Sequence, residues 1–173
     1  MTAERPTPVD AEVAAATLHC HLEALWCTGR PERLGWRRWY IDPMAVAVEI
    51  PARRADGSTE PYLIRLGAKY YDAFPPTVEF VRDDGMRARQ GTRWFPLISD
   101  VPWFGLHDAY TYPDGSVGQL VCFSVSAEYY LSNHTPEPQM KWSQGRHRVA
   151  ATLNRLAEVL QHPFYKGPSG LAA

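Results

Sequence analysis

Apolar residues recur at helical spacing near both ends of the chain. Between residues 9 and 30 the recurring positions are Val13, Ala16, Cys20, Ala24 and Cys27. Between residues 139 and 162 they are Val149, Leu153, Leu156 and Leu160. Asp10 is a suitable N-cap for the first segment, and a proline follows each segment, Pro31 and Pro163. The pattern therefore predicts an N-terminal and a C-terminal helix.

Between the two predicted helices the apolar residues alternate as they do in strands. Three runs are compatible with strands: Met44–Ile50, Tyr62–Ala68 and Thr77–Val81. Their short separations predict an antiparallel meander. Residues 82–113 are expected to be irregular because glycine and proline turns interrupt them, and residues 117–125 predict one more short strand. We therefore expect an α+β domain in which an antiparallel sheet of about four strands is flanked by the two helices.

The proline content narrows the fold class further. The 15 prolines in 173 residues are nearly twice the average content of about 5%, and proline is costly inside a helix or a central strand. Helical bundles, coiled coils and helical solenoids are thereby excluded. The length is that of a single domain over residues 1–173, in which we expect 1–9 to be flexible and 166–173 to form a tail.

Charge, hydropathy and cysteine usage restrict partners and compartment. The formal net charge is -1, which argues against generic nucleic-acid binding because such proteins usually carry a basic excess. No apolar run reaches the roughly 18 residues of a membrane-spanning helix, so no membrane partner is expected. The three cysteines have no regular spacing and predict no disulfide framework. A reducing cytoplasm is the expected location.

A family resemblance begins in the segment Tyr62–Val81, YLIRLGAKYYDAFPPTVEFV. Its strand, double-proline turn and following strand resemble the signature of the ubiquitin-conjugating enzymes, which carry ubiquitin as a thioester. The matching residues are Tyr71, Phe74, Pro75, Pro76, Val78 and Phe80, while Asp72 stands where the family has its first proline. Further along, His107 precedes Cys122 in the family's order of histidine and catalytic cysteine, and Cys122 lies in the apolar run GQLVCF.

The resemblance implies an activity and its partners. Cys122 would accept a ubiquitin-like protein from an activating enzyme and pass it to an amine on a target protein, without a metal or organic cofactor. The family's His-Pro-Asn element reads His107-Asp108-Ala109 here, so the asparagine credited with oxyanion stabilisation is missing. This divergence resembles bacterial relatives, some of which act in phage defence. Donors that could replace the asparagine are His107, Asn133, His134 or a backbone N–H near Cys122.

Each candidate catalytic residue has a structural alternative. Cys122 could be a buried core thiol, in which case the chain would be an inactive variant that binds a ubiquitin-like protein or scaffolds a complex. A cysteine hydrolase using Cys122 with His107 or His134 ranks last, because no nucleophile elbow is present. Asp108 and Asp114 are candidate acceptors for the amine proton. We expect His107 to hold its loop, and His134 and Asn133 to belong to a solvated turn.

Two further groups of residues are open to more than one interpretation. Arg30, Arg33, Trp36 and Arg37 combine basic and aromatic side chains, which suits a docking surface for the activating enzyme; the alternative is a solvated turn with the tryptophan in the core. His19, Cys20, His21 and Cys27 suggest a metal cluster at first. On a helix, however, the histidines diverge from the cysteines. We therefore expect no metal site, with both cysteines in the core.

Overall fold

The computed structural model describes residues 5–171 and has an α+β architecture. Its helices are α1 (Ala11–Trp26), α2 (Arg30–Arg33), α3 (Ala127–Leu131) and α4 (Val149–Val159), with one 3₁₀ turn at Pro138–Met140. Its strands are β1 (Arg37–Asp42), β2 (Ala45–Arg53), β3 (Thr59–Gly67), β4 (Thr77–Val81), β5 (Pro96–Ile98), β6 (Gly105–Thr111), β7 (Val117–Cys122) and β8 (Tyr165–Pro168). The predicted fold class is confirmed at this level.

Strands β1 to β4 form an antiparallel meander in sequence order. β2, β3 and β4 correspond to the three predicted runs, and β4 has the predicted bounds. The alternation in β3 is visible in the sequence because one face of the strand is buried. Tyr62, Ile64 and Leu66 are buried, whereas Leu63 and Arg65 between them are only partly buried. β1 was not predicted, since all but one of its residues are exposed and no apolar alternation marks it.

The region expected to be irregular, 82–113, contains two strands. β6 pairs with β7 in an antiparallel hairpin, and β5 pairs with β8. None of the β6 residues is buried, so the hydrophobic pattern carried no signal for it. Pairing with the buried β7 supplies the backbone hydrogen bonds that the sequence pattern did not reveal.

Helix α1 buries a different face from the one expected. The buried positions are Ala14, Leu18, Leu22 and Leu25, whereas Val13, Ala16, Cys20, Ala24 and Cys27 are exposed. Both sets have helical spacing, and the leucine set prevails because three leucines remove more apolar area from water than alanines and cysteines do. The placement of Cys20 and Cys27 in the core was therefore wrong, and both thiols are exposed.

The C-terminal helix buries the predicted face. Val149, Leu153, Leu156 and Leu160 are fully buried and join α1, the meander and the hairpin in one hydrophobic core. None of the helices formed by residues 5–171 has the length and apolar character needed to cross a membrane.

The segments expected to be loose at the ends are partly ordered. At the N-terminus, residues 1–4 lie outside the described part of the chain, and the Val9 N–H donates to the Lys69 carbonyl at 3.0 Å. At the other end, Tyr165–Pro168 forms β8 and the Ser169 N–H donates to the Phe95 carbonyl at 2.8 Å. Residues 166–168 are thus held by pairing with β5 and Ser169 by this hydrogen bond, while Ala172 and Ala173 lie outside the described residues.

Buried side chains fasten the hairpin to the open edge of the meander. The Phe80 N–H of β4 donates to Gln119 Oε1 at 2.7 Å, and the Val78 N–H donates to Glu128 Oε1 at 3.0 Å. Gln119 Nε2 donates in turn to the Ala88 carbonyl at 3.1 Å. An unpaired edge N–H in the core would cost stability, so these two side chains take the place of a fifth strand: Gln119 fixes the position of β7, and Glu128 fixes that of α3.

The double-proline turn holds the chain that follows the hairpin. The Ala127 N–H at the start of α3 donates to the Pro76 carbonyl at 3.0 Å. Trp142 Nε1 donates to the Asp72 carbonyl at 2.7 Å, and the Val149 N–H donates to the Tyr71 hydroxyl at 2.9 Å. The turn and the residues just before it thereby hold the chain at three points: the start of α3, the middle of the connection between α3 and α4, and the start of α4.

Candidate active site

Cys122 is the last residue of β7 and opens onto a groove of about 480 Å³. One wall is the β6–β7 hairpin with the aromatic turn before it, and the other wall is α3 with the chain after it. The lining residues are largely apolar or aromatic: Pro102, Trp103, Phe104, Gly105, His107, Tyr110, Leu120, Cys122, Ser124, Tyr129, His134, Pro136, Glu137 and Met140. The thiol is half-buried, so a reactant can reach it along the groove.

Glycine at position 105 keeps the space beside the thiol open. Gly105 pairs directly with Cys122 across the hairpin. A Cβ atom at residue 105 would lie 3.6 Å from the Cys122 Cβ and 4.0 Å from His107 Nε2. His107 belongs to the same face of β6 as Gly105 and is therefore a diagonal neighbour of Cys122.

The imidazole of His134 approaches the thiol from the opposite wall. His134 Nδ1 lies 3.7 Å from Cys122 Sγ and 2.8 Å from Ser132 Oγ. The Ser132 hydroxyl donates to the Tyr129 carbonyl at 3.1 Å, so its oxygen can accept the Nδ1–H of His134 once the imidazole has taken up a proton. A proton taken from the thiol by Nδ1 would thus be held between sulfur and a hydroxyl oxygen, an arrangement that stabilises an imidazolium beside a thiolate.

The turn that carries His134 is held from several sides. Asn133 adopts a left-handed backbone with φ 63°, which asparagine tolerates better than most residues and which confirms it as a turn residue. The ring of Tyr129 lies 4.9 Å from that of His134, and the His134 N–H donates to the Tyr129 carbonyl at 3.1 Å. His134 is exposed, as predicted for a residue of a solvated turn. Its proximity to the Cys122 thiol was not predicted.

The environment of Cys122 favours the protonated thiol. Burial raises the pKa of the Cys122 thiol to about 11, the charge of Glu128 raises it further, and the hydrogen bond with Ser132 lowers it. At pH 7.5 the free thiolate is then on the order of 10⁻³ to 10⁻⁴ of the total. Reaction at neutral pH therefore depends on a base that removes the proton during attack.

Glu128 is the buried acid behind this cysteine. One carboxyl oxygen accepts the Val78 N–H, and the other, Oε2, has no hydrogen-bond partner among the described residues. Burial raises the pKa of Glu128 to about 8, and the nearby charge of Glu79 acts in the same direction, while the bond from Val78 opposes them. The folded chain therefore holds Glu128 largely neutral at pH 7.

This carboxyl predicts a loss of stability with rising pH. The unfolded chain ionises Glu128 near its usual pKa of 4.5, whereas the folded chain does so near 8. Its contribution is complete below about pH 4.5 and is lost as pH rises through 8, with a slope of up to about 1.4 kcal/mol per pH unit. Urea unfolding at pH 5 and pH 8 measures this loss in the wild type. Glu128→Gln keeps the acceptor for Val78 and is expected to lose less stability over this range; equal losses in both proteins would contradict the assignment.

Asp108 and Asp114 are not placed for catalysis. Asp108 and Ala109 lie opposite the single residue Gln119 in a β-bulge, and the Asp108 carboxylate lies 3.5 Å from Arg89 Nη1. Neither aspartate lines the groove as the described residues form it. The catalytic role of Asp108 stays a prediction, which its contact with Arg89 outside the groove does not support.

The fold places the predicted docking residues in different environments, one in the core and three on the surface. Trp36 is 4% exposed and belongs to the core, so the alternative interpretation holds for it and it is not available to a partner. Arg30 and Arg33 are exposed on α2 beside a separate groove of about 420 Å³. Arg37 is exposed on β1 and forms an ion pair with Glu49, and the exposed aromatic next to it is Trp39. These environments differ because Trp36, just before the edge strand β1, packs into the core, whereas most residues of β1 are exposed.

No cluster of three or more His, Cys, Asp or Glu side chains that could hold a metal ion occurs within residues 5–171. A scan against protein-family models finds no match for the chain, and a search of the curated proteins finds none either. The functional argument therefore depends on the groove itself. Its sequence-visible members are Cys122, His107 and His134, whereas Gly105, Tyr129 and Ser132 are brought to it by the hairpin and by α3.

Proposed function

We propose that the protein is a divergent ubiquitin-conjugating-like carrier with Cys122 as its acyl acceptor. The observation that carries the proposal is a half-buried thiol at the mouth of an apolar groove, 3.7 Å from His134 Nδ1. An extended peptide with small residues could lie in such a groove, with its terminal carbonyl carbon next to the sulfur. The resemblance of the segment Tyr62–Val81 to the conjugating enzymes agrees with this activity and with their fold.

In the first step Cys122 takes over the acyl group. The substrate is a thioester between an activating-enzyme cysteine and the C-terminus of a ubiquitin-like protein. His134 Nδ1 accepts the Cys122 proton as the sulfur attacks the carbonyl carbon. The new C–S bond forms, the bond to the activating enzyme's sulfur breaks, and that sulfur leaves with a proton from the imidazolium. One thioester replaces another, so no cofactor or external energy is needed.

In the second step an amine of the target protein attacks the Cys122 thioester. The amine nitrogen forms the amide bond, the C–S bond breaks, and the amine proton passes to the departing sulfur by way of His134. A thiol of high pKa is a poor leaving group. The pKa of about 11 at Cys122 therefore slows departure of the sulfur for amine and water alike, and transfer depends on the proton that His134 delivers to the leaving sulfur.

The second candidate function is a module that only binds the ubiquitin-like protein or scaffolds a complex. The observation in its favour is the same raised pKa of Cys122, together with the absence of the family's asparagine at Ala109. Both candidates fit a cytoplasmic, bacterial conjugation pathway with an activating-enzyme-like protein and a ubiquitin-like protein as partners, and the exposed free cysteines suit that reducing compartment.

A peptide thioester separates the two candidates without requiring the natural partners. The probe is a short peptide ending in Gly-Gly as its mercaptoethanesulfonate thioester. The protein carries Cys20→Ala and Cys27→Ala, because these exposed thiols would compete for the probe. The carrier is expected to gain the mass of one acyl group, which hydroxylamine removes. An unmodified protein after prolonged incubation would favour the binding module.

A further inference from the structure

A second cavity shares helix α3 with the cysteine groove: Glu128 and Leu131 line it, whereas Tyr129 lines the groove. The second cavity has a volume of about 650 Å³ and lies between the meander, the β6–β7 turn and α3. Its charged lining residues are Arg5, Arg65, Lys69, Arg87, Glu79, Asp114 and Glu128. Cavities of a few hundred to about 1,000 Å³ are typical of sites for small molecules. The proposed carrier chemistry makes no use of this cleft.

The basic side chains of the cleft are incompletely paired. Lys69 is exposed and contacts the ring of Tyr70, with its Nζ 5.3 Å from the ring centroid, and has no acidic partner among the described residues. Arg87 gives only its Nε–H to Glu79, so its two terminal nitrogens remain without acceptors in the described chain. Arg65 is 3.9 Å from Asp42, beyond hydrogen-bond distance. The Lys69 ammonium and the terminal nitrogens of Arg87 and Arg65 are therefore cationic donors that a negative ligand in the cleft could use.

Glu128 supplies an unpartnered polar group in the wall of the same cleft. Its side chain is 6% exposed, and Oε2 lacks a hydrogen-bond partner. A buried polar atom without a partner is uncommon in folded proteins and calls for an explanation. Since the carboxyl is largely neutral at pH 7, the cleft contains four cations against two ionised acids. The balance of charge favours an anion in the cleft.

We propose that this cleft binds a small molecule through an anionic oxygen group, either a carboxylate or a phosphate. Lys69, Arg87 and Arg65 would hold the charge of the ligand, and the neutral carboxyl of Glu128 in the wall would add no negative charge to oppose it. The limited volume of the cleft and the overall net charge of -1 favour a small ligand over nucleic acid, which requires a broad basic surface. None of the three basic residues assigned to this site lines the Cys122 groove.

The test uses inorganic phosphate and citrate as probes, each titrated by calorimetry into the full chain at about 0.1 M salt. We expect a dissociation constant below about 1 mM for at least one of them. Phosphate alone would identify a phosphate-bearing ligand, and citrate alone a carboxylate-bearing one; both results support the site. Lys69→Ala, at an exposed position, is expected to weaken binding about tenfold, the size of one charge-assisted hydrogen bond.

Lys166→Ala is the matched control, because Lys166 is an exposed cation on β8 outside the cleft. It is expected to bind the probes as the wild type does. The proposal is overturned if neither probe binds, or if the Lys69 and Lys166 variants weaken binding equally, since the effect would then reflect net charge alone. Acylation of Cys122 is unaffected by either result, so this test and that of the carrier fail separately.

Discussion

Cys122→Ala is expected to abolish formation of the acyl adduct. In a background that carries Cys20→Ala and Cys27→Ala, Cys122 is the last remaining cysteine, so the further change Cys122→Ala leaves no thiol to form a thioester. The expected change is from a full adduct to none, measured as intact mass after reaction with the Gly-Gly peptide thioester. The substitution shortens a half-buried side chain by one atom and leaves the pairing of β6 and β7 intact.

The control for this change is the double variant that retains Cys122, which is expected to form the adduct in full. Circular dichroism of both proteins checks that the fold is unchanged. A hydroxylamine-sensitive adduct on the Cys122→Ala protein would show that the acyl group enters elsewhere. The assigned acceptor would then be wrong.

His134→Ala is expected to slow acylation of Cys122 about 100-fold at neutral pH. His134 Nδ1 is the base 3.7 Å from the sulfur, and positioned bases typically contribute about 10²- to 10⁴-fold. Without it the reaction depends on the free thiolate, which is scarce because the pKa of Cys122 is about 11. The rate of the variant should therefore rise with pH up to about 11, whereas that of the wild type should be much less dependent on pH.

Three companion variants make this result specific. His162→Ala removes an exposed histidine that does not line the groove and is expected to react as the wild type does. Ser132→Ala removes the hydroxyl that holds the imidazole and is expected to slow acylation less than His134→Ala. His107→Ala tests the other histidine of the groove. If His107→Ala slows the reaction and His134→Ala does not, the base has been assigned to the wrong residue.

The parts of the fold that the sequence predicted are those where burial is one-sided. β3 and β4 alternate because one face contacts the core, and α4 shows its stripe for the same reason. The face of α1 was misassigned because two sets of positions share a helical period, and only side-chain size distinguishes them. β1 and β6 have little or no buried surface, so no local pattern could predict their pairing.

The candidate site was predictable only in part for a related reason. Cys122 was visible as a thiol in an apolar strand, and the family resemblance drew attention to it. The contact with His134 depends on a turn at Asn133 and on packing against Tyr129, which no spacing in the sequence reveals. Nothing in the sequence distinguishes Glu128 from an exposed glutamate on a helix. Its burial is explained by the hydrogen bond from the Val78 N–H at the sheet edge, which only the structure shows.

The fate of the acyl group on Cys122 tests the central claim most directly. The acylated protein is freed of excess probe and incubated with or without free lysine, and the products are separated by mass into amide and free acid. The carrier is expected to keep its thioester in the absence of amine and to yield the peptide amide in proportion to the lysine added. Rapid release of free acid, unchanged by lysine, would contradict the account and indicate a cysteine hydrolase.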